Sequence, residues 1–319
     1  MRIVAPPFRR THMAAVLLGW QDAAVGILES TPNAAALIAV ARATLPPTVA
    51  DVWIGLLRPA IRLRCARAGE LVVGQLGGSP MLPHGIAWPR SEAGRPLGFV
   101  AGVDLGRVPV AALDMPLPAD GTLLFFYRDP SEDPYQEPFW IGDPLPEIQP
   151  PAATVVFVPA GTVTTERTEP GAAVYPEVGL AAELIATGPE WDHPALRRAV
   201  AELSAADREF MADPFKCDPF RIELGDQLDH PQHYVGGYAR PVQGPVEVEV
   251  AQQRLGGRVP YTDPALYDEA RQWTSLMQID SDDDAEMRWG DCGSLYWMMR
   301  PEDIATGRFE AAVFVTQCS

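Results

Sequence analysis

The residues best placed to do chemistry lie in one short stretch, where Asp280, Asp282 and Asp284 alternate and Glu286 and Asp291 follow. Hard cations need several oxygen ligands from a short flexible loop, and alternating carboxylates on a turn can converge in that way. Asp280, Asp282 and Asp284 are therefore a candidate site for Ca²⁺ or Mg²⁺; no other cofactor is expected. The spacing follows an EF-hand through its first positions, but Ala285 stands where that loop requires glycine and the flanks read as strands. An EF-hand is excluded. The competing reading is a solvated hairpin loop whose first Asp caps backbone N–H groups.

Gln278, Trp289 and Asp291 flank that loop. They read either as a recognition patch with the indole as anchor, or as a ring covering the sheet end while Asp291 satisfies a turn. Cys292, in Gly290-Asp291-Cys292-Gly293, has the look of a protease nucleophile turn. Such a thiol needs an imidazole and an oxyanion hole; His84 is the partner to try, and nothing around it repeats a protease pattern. A buried structural cysteine is expected instead. His230 and His233 sit beside Pro231 and Gly236-Gly237, which place them in a turn without the H-E-x-x-H of a metalloprotease; they read as ordinary loop histidines, or with one of them lining a pocket. Gly77-Gly78-Ser79-Pro80 is neither a nucleophile elbow nor a phosphate loop. Its glycines suit a positive-φ turn, and Pro80, Pro83 and Pro89 stiffen the loop that presents Trp88, as a partner site or as a lid on the core.

Elements must hold these residues in place. The first part of the chain is alanine-rich and suits helices, with Leu37, Ile38, Val40, Ala41 and Leu45 as apolar positions and Pro46-Pro47 as the stop. Met13 to Leu28 reads as a packed or peripheral helix, too short to span a bilayer. From Leu71 short apolar runs alternate with Gly and Pro, predicting strands at Leu71 to Val73, Phe99 to Val103, Leu123 to Tyr127 and Val155 to Val158. Residues 194 to 212 predict helix, with Asp192 as its cap. The alternation of Val246, Val248 and Val250 with Glu247 and Glu249 predicts a half-exposed strand. A helix near 263 to 272 follows, then strands at Leu276 to Ile279, Leu295 to Met299 and Ala312 to Val315.

One pattern occurs twice. Gly77-Gly78 leads to Phe99 through Asp104 and then Gly121 through Phe126; Gly236-Gly237 leads to Ser275 through Asp280 and then Gly293 through Met298. Each unit is a Gly-Gly turn, a strand ending in Asp, a loop, and a Gly-initiated aromatic strand. The expected fold is α+β: a mainly antiparallel, strand-rich body built from two similar β units, with helices N-terminal and between them. The expected organisation is a helical extension over 1–58, then a domain over 59–319 with an internal duplication at about 70–160 and 230–319.

The run Val73 through Pro83, Trp88-Pro89, Pro96-Leu97 and Gly121 to Tyr127 resembles the YwqG-like family, which is mostly bacterial and of unknown function. Leu276 through Asp282, Trp289-Gly290-Asp291, Gly293, Leu295-Tyr296-Trp297 and Gln317-Cys318-Ser319 resemble it more specifically. The resemblance spans roughly residues 60 to 319 and implies a fold and a cytosolic address, but no settled activity. Gly102 departs from it, standing where the family tends to have glutamine.

The formal net charge is −17, and Lys216 is the only lysine. A field of that sign repels phosphate backbones and anionic lipid, so nucleic acid and membrane surfaces are not expected partners; it either attracts a basic protein or serves only solubility. Cys65, Cys217, Cys292 and Cys318 are far apart with no C-x-x-C pair, which argues against zinc or a disulfide framework and for reduced thiols in the cytoplasm. No complete catalytic set can be read. The chain is therefore expected to be a non-catalytic cytoplasmic binding protein of unknown ligand, one concrete version being an immunity-type or regulatory protein that binds a basic protein partner; a plain structural or regulatory scaffold is a further reading. Its candidate binding residues are Gln278, Asp280, Asp282, Trp289, Asp291, Trp88 and Asp104. The alternative is a divalent-metal-dependent small-ligand protein or enzyme built on residues 280–291.

Overall fold

Period-two alternation decides which way each strand faces. In β5 (Thr122–Tyr127), Leu123, Phe125 and Tyr127 point to one side and Leu124 and Phe126 to the other; β11 (Ser294–Met299) divides Leu295, Trp297 and Met299 from Tyr296 and Met298 in the same way. A computed structural model describes residues 31–128, 153–227 and 230–318. The helix expected at Met13 to Leu28 lies outside the described residues.

Ten strands form one antiparallel sheet in the order β12-β11-β10-β9-β1-β8-β2-β4-β5-β6. They are β1 (Arg58–Cys65), β2 (Gly74–Leu76), β4 (Gly98–Asp104), β5, β6 (Ala153–Val158), β8 (Val178–Thr187), β9 (His233–Gly236), β10 (Thr274–Asp280), β11 and β12 (Val313–Gln317). A separate pair joins β3 (Met81–Pro83) to β7 (Thr164–Glu166). Outward from the central β1–β8 pair, each flank has the same order: a short strand running into a Gly-Gly turn, a bulged strand, an aromatic strand and an edge strand. The bulges fall between Phe99 and Ala101 and between Ser275 and Met277. The sheet curls until its flanks meet, nearly closing like a barrel. Phe125 touches Trp297 with ring centroids 5.1 Å apart, and Tyr127 stacks on Phe314 at 4.8 Å. One apolar core thus draws on both flanks.

A helical layer covers the outer side of β8. It comprises α1 (Ala34–Thr44), α2 (Pro47–Ile54), α3 (Pro194–Ala201), α4 (Ala205–Ala212) and α5 (Pro214–Asp226). Its centre is Trp53, which donates its indole N–H to the Pro189 carbonyl at 2.9 Å and meets Phe220 edge-on at 5.1 Å. The N-terminal helices therefore share one core with those between the β units. The remaining helices are α6 (Val246–Arg254), α7 (Pro264–Ala270) and α8 (Pro301–Ala305).

Three local expectations are corrected. Val246 to Val250 is the start of α6, not a strand. The helix is buried on two sides: Val246 and Val250 pack on Tyr296 and Met298, while Val248 and Ala251 pack on Leu266 and Ala270. Apolar residues on two helix faces look like strand alternation over five residues. Glu247, expected at the surface, is buried and lies 3.3 Å from His193. Burial pushes its carboxyl up, but the His193 imidazole beside it, a backbone hydrogen bond and the more distant Arg58 guanidinium outweigh that and hold it below the ordinary range. Leu71 to Val73 is not a strand; Leu71 and Val72 are exposed and β2 begins at Gly74. The cap of α3 is His193 rather than Asp192, its Nδ1 accepting from the Ala195 N–H at 3.1 Å.

The second Gly-Gly turn presses directly on the central strands. At Gly237 (φ +68°) a Cβ would lie 2.4 Å from Thr187 Oγ1 and 2.7 Å from Ala60 Cβ. Gly237→Ala is expected to lower unfolding stability by at least about 2 kcal/mol, measured by urea denaturation, because strain and overlap add. A neutral substitution there would contradict this packing.

Candidate functional site

The two flanks share a framework but differ on their outer faces. In the first flank Gly102 opens a space that the Phe99 ring fills, with Phe99 Cζ 3.3 Å from where a Cβ would stand. Trp88 closes this face: it is buried, donates its indole N–H to the Leu97 carbonyl at 2.9 Å and meets Phe126 edge-on at 5.6 Å. In the second flank the corresponding outward positions carry Gln278 and Tyr296. Gln278 Oε1 accepts the Arg240 N–H at 2.8 Å, and the Tyr296 hydroxyl donates to the Arg240 carbonyl at 2.7 Å. Gln317 Oε1 accepts the N–H groups of Val242 and Gln243 at 2.9 and 3.1 Å, and its amide donates to the Gly244 carbonyl at 2.9 Å. Three side chains thus pin residues 240–244 over the sheet.

Beside this strap lies a cleft of about 550 Å³, walled by His230, Gln232, Arg240, Val242, Gln278, Asp280, the loop Ser281–Asp284, Cys292 and Ser294. Asp280 forms its floor. One carboxylate oxygen accepts from Gln278 Nε2 at 2.9 Å and Ser294 Oγ at 2.6 Å, the other from the Gln232 N–H at 2.8 Å. The exposed imidazole of His230 stands 3.9 Å from that second oxygen.

His233 lies beneath, fully buried. Its Nδ1 accepts the Asp280 N–H at 3.2 Å, so Nε2 carries the proton and donates to Asp282 Oδ2 at 3.1 Å. Asp282 Oδ1 accepts the Ala285 N–H at 2.8 Å, and Asp282 exchanges both backbone hydrogen bonds with Met287. Burial raises the Asp282 carboxyl, but the hydrogen bonds from His233 and the backbone outweigh it and hold the group below its ordinary value. With both ring nitrogens engaged, His233 anchors the loop and has no free nitrogen for a substrate.

Gln278, Asp280, Asp282 and Asp284 therefore share one cleft, and the other candidates do not. Trp289 is buried in the interior, edge-on to Tyr127 and Tyr175 at 5.7 Å each, and is no surface anchor. Asp291 is exposed on the turn behind the cleft. Trp88 and Asp104 belong to the first flank, where Asp104 accepts the Gly106 N–H at 3.0 Å and pairs with Arg107. The carboxylates of Asp280, Asp282 and Asp284 do not converge: Asp282 turns inward to His233 while Asp280 turns to Gln278, Ser294 and Gln232. Among the described residues no three His, Cys, Asp or Glu side chains are grouped to hold a metal ion. Cys292, expected to be buried, is exposed in the cleft wall.

His233, expected in a turn as a loop histidine, is instead buried in β9, where it pairs with β1 and β10; Arg240, Ser294 and Gln317 were not singled out from the sequence as site residues. The usable signal was small: Gln317 and Ser294 fall on the same side of their strands as Gln278, a polar run on a face that the first flank fills with apolar groups.

Over residues 74–318 the chain matches the family described as domain of unknown function (DUF1963), and it belongs to that family. The match omits β1, although that strand lies at the centre of the sheet. No curated protein compared with the chain matches it.

Replacing His233 by Ala would leave the Asp282 carboxylate and the Asp280 N–H buried without their partner, at a cost of about 3 kcal/mol in denaturant unfolding. Because the folded value of Asp282 is lowered, its contribution is complete above the ordinary carboxylate range and fades as pH falls through the folded value. Asp282→Asn should therefore flatten the acid limb of the stability–pH curve; an unchanged limb would contradict the assignment.

Proposed function

We propose that this member of the DUF1963 family is a non-catalytic binding protein whose acidic cleft receives a cationic side chain, arginine or lysine, of a basic protein partner. The observation that carries the reading is the character of the cleft wall. It presents Asp280, Asp282, Asp283 and Asp284, while Arg240, the one arginine among its described lining residues, is already paired with Glu190. Asp283 and Asp284 are exposed at the rim, where carboxylates meet an incoming cation without first losing an internal partner. The net charge of −17 adds long-range attraction, which speeds encounter with a basic partner.

The anchored floor supports the same reading. A cleft whose carboxylates are already oriented loses little side-chain freedom on binding. An immunity-type protein that blocks a basic toxin is the concrete form of this proposal. A cytoplasmic setting fits the four described cysteines, all free thiols, and among the described residues no helix is long and apolar enough to cross a membrane. The YwqG-like character suggested by the Gly-Gly and Trp-Gly-Asp motifs belongs to this reading as well.

The test is fluorescence anisotropy with a labelled arginine-rich peptide at physiological salt. Asp283→Asn combined with Asp284→Asn should weaken binding about tenfold, which corresponds to roughly 1.4 kcal/mol. Glu302→Gln with Glu310→Gln removes the same charge away from the cleft and should change affinity less than about twofold, as expected for distant screened charges. Equal losses from both pairs would reduce the effect to overall charge and sink the proposal.

A further inference from the structure

We infer that Cys292 and Cys318 form a reversible oxidation site, closing to a disulfide that ties the cleft wall to the end of the last strand. Both are free thiols; Cys292 is exposed in the cleft wall and Cys318 is half-buried. The pairing of β11 with β12 ends at Ser294 opposite Gln317, so Gly293 comes next to Cys318. A Cβ on Gly293 would stand 2.8 Å from Cys318 Cα. Adding one Cα–Cα step along the chain puts the Cα atoms of Cys292 and Cys318 within about 8 Å of each other. The separations of roughly 4.4–6.8 Å that disulfides require fall inside that limit.

The turn carrying Cys292 is folded around Cys318. It closes through the Gly293 N–H to the Trp289 carbonyl at 2.7 Å. A Cβ on Gly290 would come 2.9 Å from both Cβ and Sγ of Cys318. Glycine at both positions lets the C-terminal thiol lie inside the turn, against the segment that bears the other thiol. Cys65 is exposed on β1 and Cys217 is buried in the helical layer, so neither competes for this pairing.

A disulfide oxidant such as oxidised glutathione completes the chemistry. The accessible Cys292 thiolate attacks one glutathione sulfur, the glutathione S–S bond breaks, and the departing thiolate takes up a proton. The Cys318 thiolate then attacks the Cys292 sulfur of the mixed disulfide and expels the second glutathione. Two protein thiols become one disulfide, and one oxidised glutathione becomes two reduced ones. Cys292 is drawn from the cleft wall towards the strand end. This inference stands whatever the cleft binds.

The experiment is incubation of the native full chain with oxidised glutathione, followed by alkylation, digestion without reductant and mass spectrometry. A peptide joining Cys292 to Cys318 is expected, with two of the four thiols lost and both regained with dithiothreitol. Cys65→Ser should form the same link, whereas Cys318→Ser should stop at a glutathione adduct on Cys292. A wild-type chain that accumulates the Cys292 adduct without the link, links through Cys65, or keeps all its thiols would overturn the inference.

Discussion

One neutral imidazole fixes the acidic loop. His233 sits in β9 with no solvent exposure, receives a backbone N–H from β10 and gives its own proton to Asp282. That last bond joins residues 49 positions apart, so the loop after β10 is positioned by a strand from before α6, not by its own sequence. The loop folds inward, placing Ala285, Met287 and Trp289 in the common core. Its acidic tip is left at the cleft. A carboxylate buried this way is tolerated because its acceptors are filled; unpaired, it would cost several kcal/mol.

The two flanks of the sheet show how one framework yields two different surfaces. Both bury an aromatic strand inward, and Phe125 meets Trp297 at matching places in their flanks. Outward, the first flank closes over itself with Phe99 and Trp88, an apolar lid in which the indole N–H of Trp88 is satisfied locally by the Leu97 carbonyl. The second faces outward with Gln278, Ser294, Tyr296 and Gln317, and these need partners. The strap at 240–244 supplies them for Gln278, Tyr296 and Gln317, Gln317 also bonds Glu249 of α6, and Ser294 bonds Asp280. A polar outer face can hold a backbone segment beside an open cleft; an apolar one collapses shut.

The sequence made the framework legible because its signals are local. Gly-Gly pairs mark positive-φ turns, and Asp104 and Asp280 mark strand ends whose loops return to Gly121 and Gly293. What stayed hidden depended on distant partners. The V-E-V-E-V run of α6 looks like a strand unless α7 is known to cover its second apolar face. Trp289 reads equally as an anchor or as core until the loop is seen to fold inward against Tyr127 and Tyr175. The alternating aspartates looked like convergent ligands, yet Asp282 is claimed by a histidine that the sequence placed in an ordinary turn.

The position of the acidic loop depends most on which nitrogen of His233 carries the proton. Long-range nitrogen–proton NMR correlation of the histidine rings at neutral pH tests it directly. A buried, neutral ring with the proton on Nε2 and a bare Nδ1 is the predicted result. A doubly protonated ring, or one carrying its proton on Nδ1, would contradict it, since the Asp280 N–H would then have no acceptor and the loop no anchor.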